Sequence, residues 1–151
     1  MPSPDSGSGG PADGAGAPGA GSSGAGSSGE GNLRVARALI EAAFSGDIDG
    51  ALACCAEDLE VRTEGTQVVH GYEGLRQIIE FHTELFTSVD VTMHHALASG
   101  DTAAINRTTH LVIDGKEIDL EVGSFFEFRD GLVCRWMDYQ DMGIVMRAIG
   151  H

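Results

Sequence analysis

The chain has 151 residues, 42% of them hydrophobic, and a formal net charge of −14, enough material for one ordinary domain. A single lysine, Lys116, and scattered arginines leave no basic stripe, which argues against nucleic acid and anionic membranes as partners. No stretch approaches the roughly 18 consecutive apolar residues of a membrane span, and the first residues carry neither a basic start nor an apolar run, so a soluble, cytoplasmic protein is expected.

Residues 1–31 hold all four prolines and half of the 22 glycines, with Ser and Ala filling most of the rest. Such a segment cannot bury enough apolar surface to offset its chain entropy, which predicts a disordered Gly/Ser-type tail before an ordered domain over 32–151. Leu33 to Ser45 reads as a helix, with Ala36, Leu39, Ile40, Ala43 and Phe44 on one stripe. Gly46-Asp47 breaks it, and Asp47 is placed to cap a short second helix carrying Leu52 and Cys55. Leu59 to Thr63 predicts a strand, followed by a loop and a short extended piece ending at His70-Gly71. The next helix runs from Tyr72 to Phe86, with Leu75, Ile78, Ile79, His82, Leu85 and Phe86 at helical spacing, so His82 faces the core or a cavity.

Four strands follow, at Val89–Ser99, Ala103–Ile113, Glu117–Phe128 and Leu132–Gln140, and an amphipathic turn or helix covers 142–149. Asp114-Gly115 and Asp130-Gly131 between alternating segments are strong hairpin signals, which predicts an antiparallel meander for the last three strands. Helices first and a long curved antiparallel sheet afterwards give an α+β class, with the N-terminal helices covering one sheet face and the remaining concavity forming the pocket. Cys54, Cys55 and Cys134 show neither metal-ligand spacing nor an even disulfide set, so reduced, partly buried thiols and no metal are expected.

Strand alternation selects the inward polar groups. Arg107 and Thr109 share a face with Ala103, Ile105, Leu111 and Ile113, while His95 shares one with Val91, Met93 and Leu97. In the last strand Leu132, Cys134, Trp136 and Asp138 fall on one side. A carboxylate on an apolar face is costly to bury as an ion, which makes Asp138 the first candidate for a catalytic acid or base and an inward Arg107 its natural partner. Glu117, Asp119 and Glu121 alternate with Ile118, Leu120 and Val122 and read as a solvated face. His82 and His95 read as core histidines that can still donate a hydrogen bond to a substrate.

The run from His70-Gly71 through Asn106-Arg107-Thr108-Thr109 to Trp136-Met137-Asp138-Tyr139-Gln140-Asp141 resembles the cone-shaped superfamily of nuclear transport factor 2. Within it the likeness is to the SnoaL-like polyketide cyclases and the limonene-epoxide hydrolases. The hydrolase resemblance implies an arginine at Arg107 and an aspartate at Asp138, but the second acid falls at Thr109, and Val61 and Thr63 stand where a tyrosine and an asparagine would hold the attacking water. A related ketosteroid-isomerase pattern would need an acid at Gly123. The cyclase resemblance implies a cofactor-independent enzyme of secondary metabolism that closes a ring in a small hydrophobic substrate. Asp138 would be its general base and Arg107 would steady the oxyanion, with Thr109, His95, Trp136, His82 and Thr63 around the substrate. An epoxide hydrolase with an altered proton donor is the second expectation and a non-catalytic ligand-binding or dimerisation module the third, with a homodimer expected in any case.

Overall fold

The computed structural model describes residues 29–150, so the expected tail lies almost wholly outside the described residues. Helix α1 (Gly29–Ser45) begins three residues before the expected domain start and buries Ala36, Leu39, Ile40 and Ala43, as its periodicity requires. Helix α2 (Ile48–Ala53) is capped by the Asp47 carboxylate, which accepts from Gly50 N at 2.9 Å. Strand β1 (Cys55–Thr63) takes Cys55 out of the expected helix and into the sheet. Strand β2 (Val69–His70) leads into helix α3 (Gly71–Leu85), which buries Leu75 and Ile79. Strands β3 (Ser88–Ser99), β4 (Thr102–Ile113), β5 (Lys116–Arg129) and β6 (Leu132–Tyr139) follow, and α4 (Met142–Ala148) closes the described chain.

The strands form one sheet in the order β2-β1-β6-β5-β4-β3. The β3–β6 meander is antiparallel throughout, as the Asp-Gly turns imply. Asp114 and Gly115 (φ 52° and 78°), like Asp130 and Gly131 (φ 56° and 79°), adopt the paired left-handed conformation that matches the twist of a two-residue hairpin. The sheet is mixed rather than wholly antiparallel, because β1 runs parallel to β6, with Val61 opposite Trp136 and Thr63 opposite Asp138. A parallel neighbour requires a long crossover, and everything from α3 to β5 supplies it.

Two irregularities correct the expected strand faces. Between β5 and β6 the register passes from Phe128↔Val133 to Glu127↔Arg135, leaving Cys134 as an extra residue. This bulge shifts the alternation by one, so Val133, Trp136 and Asp138 are buried while Leu132 is 37% exposed. In β3 a shift between Met93 and His95 does the same. Val91 and Met93 pack on the core before it and Ala96 and Ala98 after it, so His95 and Leu97 turn outward. Beneath α1 and α3 the main core gathers Leu39, Ile40, Leu59, Leu75, Phe126 and Trp136. A smaller one, with Leu111, Leu120, Val122 and Val145, lies under α4. No helix among the described residues is long and apolar enough to cross a membrane.

Candidate active site

Three adjacent strands deliver one buried polar network to the inner sheet face. Arg107 and Thr109 come from β4, Ser124 from β5, Asp138 from β6, and all four are at most 8% exposed. The guanidinium donates from Nε to Thr109 Oγ1 at 3.1 Å, from Nη1 to Ser124 Oγ, and from Nη2 to Asp138 Oδ2 at 3.0 Å. Ser124 Oγ donates to Asp138 Oδ1 at 2.6 Å, and Trp136 Nε1 donates to the same oxygen at 2.6 Å. The carboxylate therefore accepts three bonds, two on Oδ1 and one on Oδ2, which leaves acceptor capacity on Oδ2. A charge pair this deep is tolerable only because nearly every donor and acceptor around it is matched.

Arg107, Asp138 and Thr109 open onto a cavity of about 390 Å³, within the usual range for small-molecule sites. Its walls are mostly apolar: Phe44, Ile78, Phe81, Leu85 and Phe86 from the helices and Leu111 and Leu120 from the sheet. Exposed Thr66, Gln67 and Gln77 mark the solvent side, and Thr63 reaches the cavity from the end of β1, in register with Asp138. The Arg107 guanidinium also sits 5.1 Å above the Phe44 ring, so the cation is covered by an aromatic face as well as by oxygen acceptors.

His82 lines the same cavity from α3. Phe44 and Phe86 both stack on its ring, at 5.2 and 5.0 Å between centroids. Burial pulls its pKa down to about 4; the Asp138 charge opposes that shift and the Arg107 charge adds to it. The ring is therefore uncharged at neutral pH.

Of the residues expected at the site, Asp138, Arg107, Thr109, His82 and Thr63 meet at this cavity. His95 does not: the β3 bulge sends it to the outer sheet face, where its Nδ1 meets Asn106 Oδ1 at 2.9 Å. Trp136 is inward but stands behind Asp138, stacked 5.7 Å from Phe126 in the core, so it contacts the carboxylate rather than a ligand. Ser124 was not singled out from the sequence, although a hydroxyl in the buried series Leu120, Val122, Ser124, Phe126, Phe128 is a readable signal. It, and not Gly123, is the β5 residue that meets the carboxylate.

Cys54, Cys55 and Cys134 are free thiols. Burial, with Cys54 beside it, pushes Cys55 up to about 12, and burial is also the main cause of the upward shifts at Cys54 and Cys134. All three are therefore protonated and poorly nucleophilic. Among the described residues no group of three or more His, Cys, Asp and Glu is arranged to hold a metal ion.

No curated protein sequence matches the chain. Solved structures do. An LEH-like epoxide hydrolase of M. tuberculosis superposes with a TM-score of 0.69 at 22% identity, covering 80% of this chain and 90% of that one. A protein of Jannaschia sp. CCS1 assigned as a SnoaL-like polyketide cyclase gives 0.70 at 20%, covering 80% and 92%. An NTF2-like protein of unknown function from Burkholderia pseudomallei gives 0.74 at 19%, covering 80% and 98%. At these identities the likeness establishes the fold. Residues 36–136, more than half of the sequence, match the SnoaL-like domain, and the chain belongs to that family.

Proposed function

We propose that the protein is a cofactor-independent acid/base enzyme of secondary metabolism that closes a ring in a hydrophobic, polyketide-type substrate, with Asp138 as its general base. The observation that carries this reading is a carboxylate fixed by Arg107, Ser124 and Trp136 against an otherwise apolar cavity, with acceptor capacity left on Oδ2. Fixing the carboxylate this way holds the base in one orientation before substrate arrives, so no reorganisation is needed during the reaction.

In the proposed step Asp138 takes a proton from a carbon flanked by carbonyls. The freed electron pair attacks a second carbonyl carbon of the same molecule, and the resulting alkoxide recovers the proton from the Asp138 carboxyl. One C–C bond forms, one carbonyl becomes a hydroxyl, and the base is regenerated without an oxidant or reductant. The aliphatic and aromatic walls fold the chain so that the two carbons meet, a positioning effect that supplies much of the rate in intramolecular reactions. Thr109 stands where the hydrolase resemblance requires a second acid, and its hydroxyl is a far weaker acid than a carboxylic acid, which favours cyclisation over epoxide opening.

The test is turnover of a panel of poly-β-keto compounds and epoxides in oxygen-18 water. Cyclisation gives a ring whose new hydroxyl derives from the substrate carbonyl, so early product carries no stoichiometric label. A diol labelled at one oxygen would instead identify an epoxide hydrolase with an altered proton donor. Asp138→Asn should keep the fold but with reduced stability, because it leaves the buried Arg107 cation without its anion, and should lose roughly two to four orders of magnitude in rate, the scale of a general base. Unchanged turnover in that variant would remove Asp138 from the chemistry.

A further inference from the structure

Among the described residues two buried side-chain polar atoms have no hydrogen-bond partner, and one of them, His82 Nδ1, belongs to the cavity wall. A neutral imidazole must place its single proton on one nitrogen. A buried N–H without an acceptor costs more than a buried lone pair without a donor, so the proton belongs on Nε2. Nε2 is then the accessible polar edge of a ring that Phe44 and Phe86 hold in one orientation.

The other strong donor at the cavity is already engaged. Arg107 is 1% exposed and donates from all three of its nitrogens, to Thr109, Ser124 and Asp138. It orients the base, and at 1% exposure it has little surface on which its two remaining N–H groups could meet a ligand. Of the donors left on the wall, which include Thr63 and the amides of Gln67, Gln77 and Gln140, the imidazole is the one with aromatic rings stacked on it from two residues, so it is the best oriented to donate to an oxygen.

We propose that His82 is the second catalytic residue of this site, a neutral imidazole whose Nε2–H donates a hydrogen bond to the substrate carbonyl oxygen that gains charge when Asp138 removes the neighbouring proton. This rests on the reading of Asp138 as the base. As the C–H pair moves into the new C–C double bond, the carbonyl π pair moves onto oxygen, and the Nε2 proton stays on nitrogen. An uncharged donor suits this position, because a cation there would be disfavoured by burial and by the Arg107 charge. Within the cavity wall the ionisable side chains are one cation, one anion and this neutral ring, so the formal charge sums to zero. Together with the aromatic rings of Phe44, Phe81 and Phe86, that composition selects a flat, uncharged ketone.

The probe pair is 1-tetralone and tetralin, flat bicyclic molecules that differ at a single carbon, C=O in one and CH₂ in the other. Wild-type protein is expected to bind tetralone more tightly than tetralin. His82→Phe keeps the aromatic stack and should weaken tetralone by about five- to tenfold, the worth of one neutral hydrogen bond, while changing tetralin by less than about twofold. His82→Gln, which restores an N–H donor, should recover part of the loss. In protein carrying ¹⁵N-histidine, tetralone but not tetralin should displace the His82 Nε2–H resonance downfield. Equal weakening of both probes in His82→Phe, an unchanged tetralone affinity, or wild-type protein that binds neither would overturn the assignment. The pattern supports the His82 contact whatever Asp138→Asn does to turnover, so the two readings fail separately.

Discussion

Strand β4 carries two polar ladders on its two faces, built from similar residue types and equally well connected. On the inner face Arg107 and Thr109 join Ser124 and Asp138. On the outer face His94 Nε2 meets Thr108 Oγ1 at 2.7 Å and Thr108 donates to Glu121 at 2.6 Å, while His110 pairs with Asp119. Residue identity does not separate the two. What separates them is the wall: the inner ladder has helices α1 and α3 over it and borders a cavity, and the outer one is open to water. Water competes for every bond of the outer ladder and for almost none of the inner.

That contrast can be broken first at Arg107. Arg107→Leu leaves the Asp138 charge buried without its cation, and chemical denaturation should show a loss of about 3–5 kcal/mol. A loss below about 1 kcal/mol would mean that water reaches the inner ladder after all.

The histidines sharpen the contrast through opposite signs. His82 has a folded pKa of about 4 against 6.5 unfolded, so the unfolded chain takes up the proton first. Its effect is absent above pH 6.5 and grows as a loss of stability between pH 6.5 and 4, on the order of 3 kcal/mol in all. His110 is raised, chiefly by its hydrogen bond to Asp119, so its stabilisation is complete below pH 6.5 and disappears as pH rises through the folded value. Stability measured from pH 4 to 8 should therefore fall on the acid side, and His82→Phe should flatten that limb. A limb of unchanged slope would show that other groups cause it. The smallest effect belongs to Glu121→Gln on the outer face, which should stay within about 0.5 kcal/mol of wild type by denaturation.

The sequence pattern reveals most of the fold and part of the site. Every helix and strand has a periodic counterpart, and the odd positions of β4 point inward as alternation requires. The pairing of Arg107 with Asp138 follows from two charges on apolar faces of one sheet. The misreadings of His95, Leu132 and Cys134 share one cause: a bulge inserts a residue without altering composition, and every assignment on one side of it flips. Trp136 shows a different limit. Alternation places it inward, but whether an inward ring meets ligand or core depends on the packing of Phe126 and α1 around it. The orphan nitrogen of His82 is likewise a property of the neighbours that are missing, which no spacing rule records.

The parallel pairing of β1 with β6 ties the site to a distant part of the sequence. Thr63 meets Asp138 across that ladder, and Glu64 N donates to Asp138 O at 2.9 Å, so the catalytic strand is clamped by a segment near the opposite end of the described chain. Long-range closures of this kind are slow steps in folding. As the chain leaves the ribosome, Arg107 and Ser124 emerge before the carboxylate that will neutralise and orient them. The hairpins β4–β5 and β5–β6 assemble the charge network, and the long-range β1 ladder then holds its carboxylate strand from the other side.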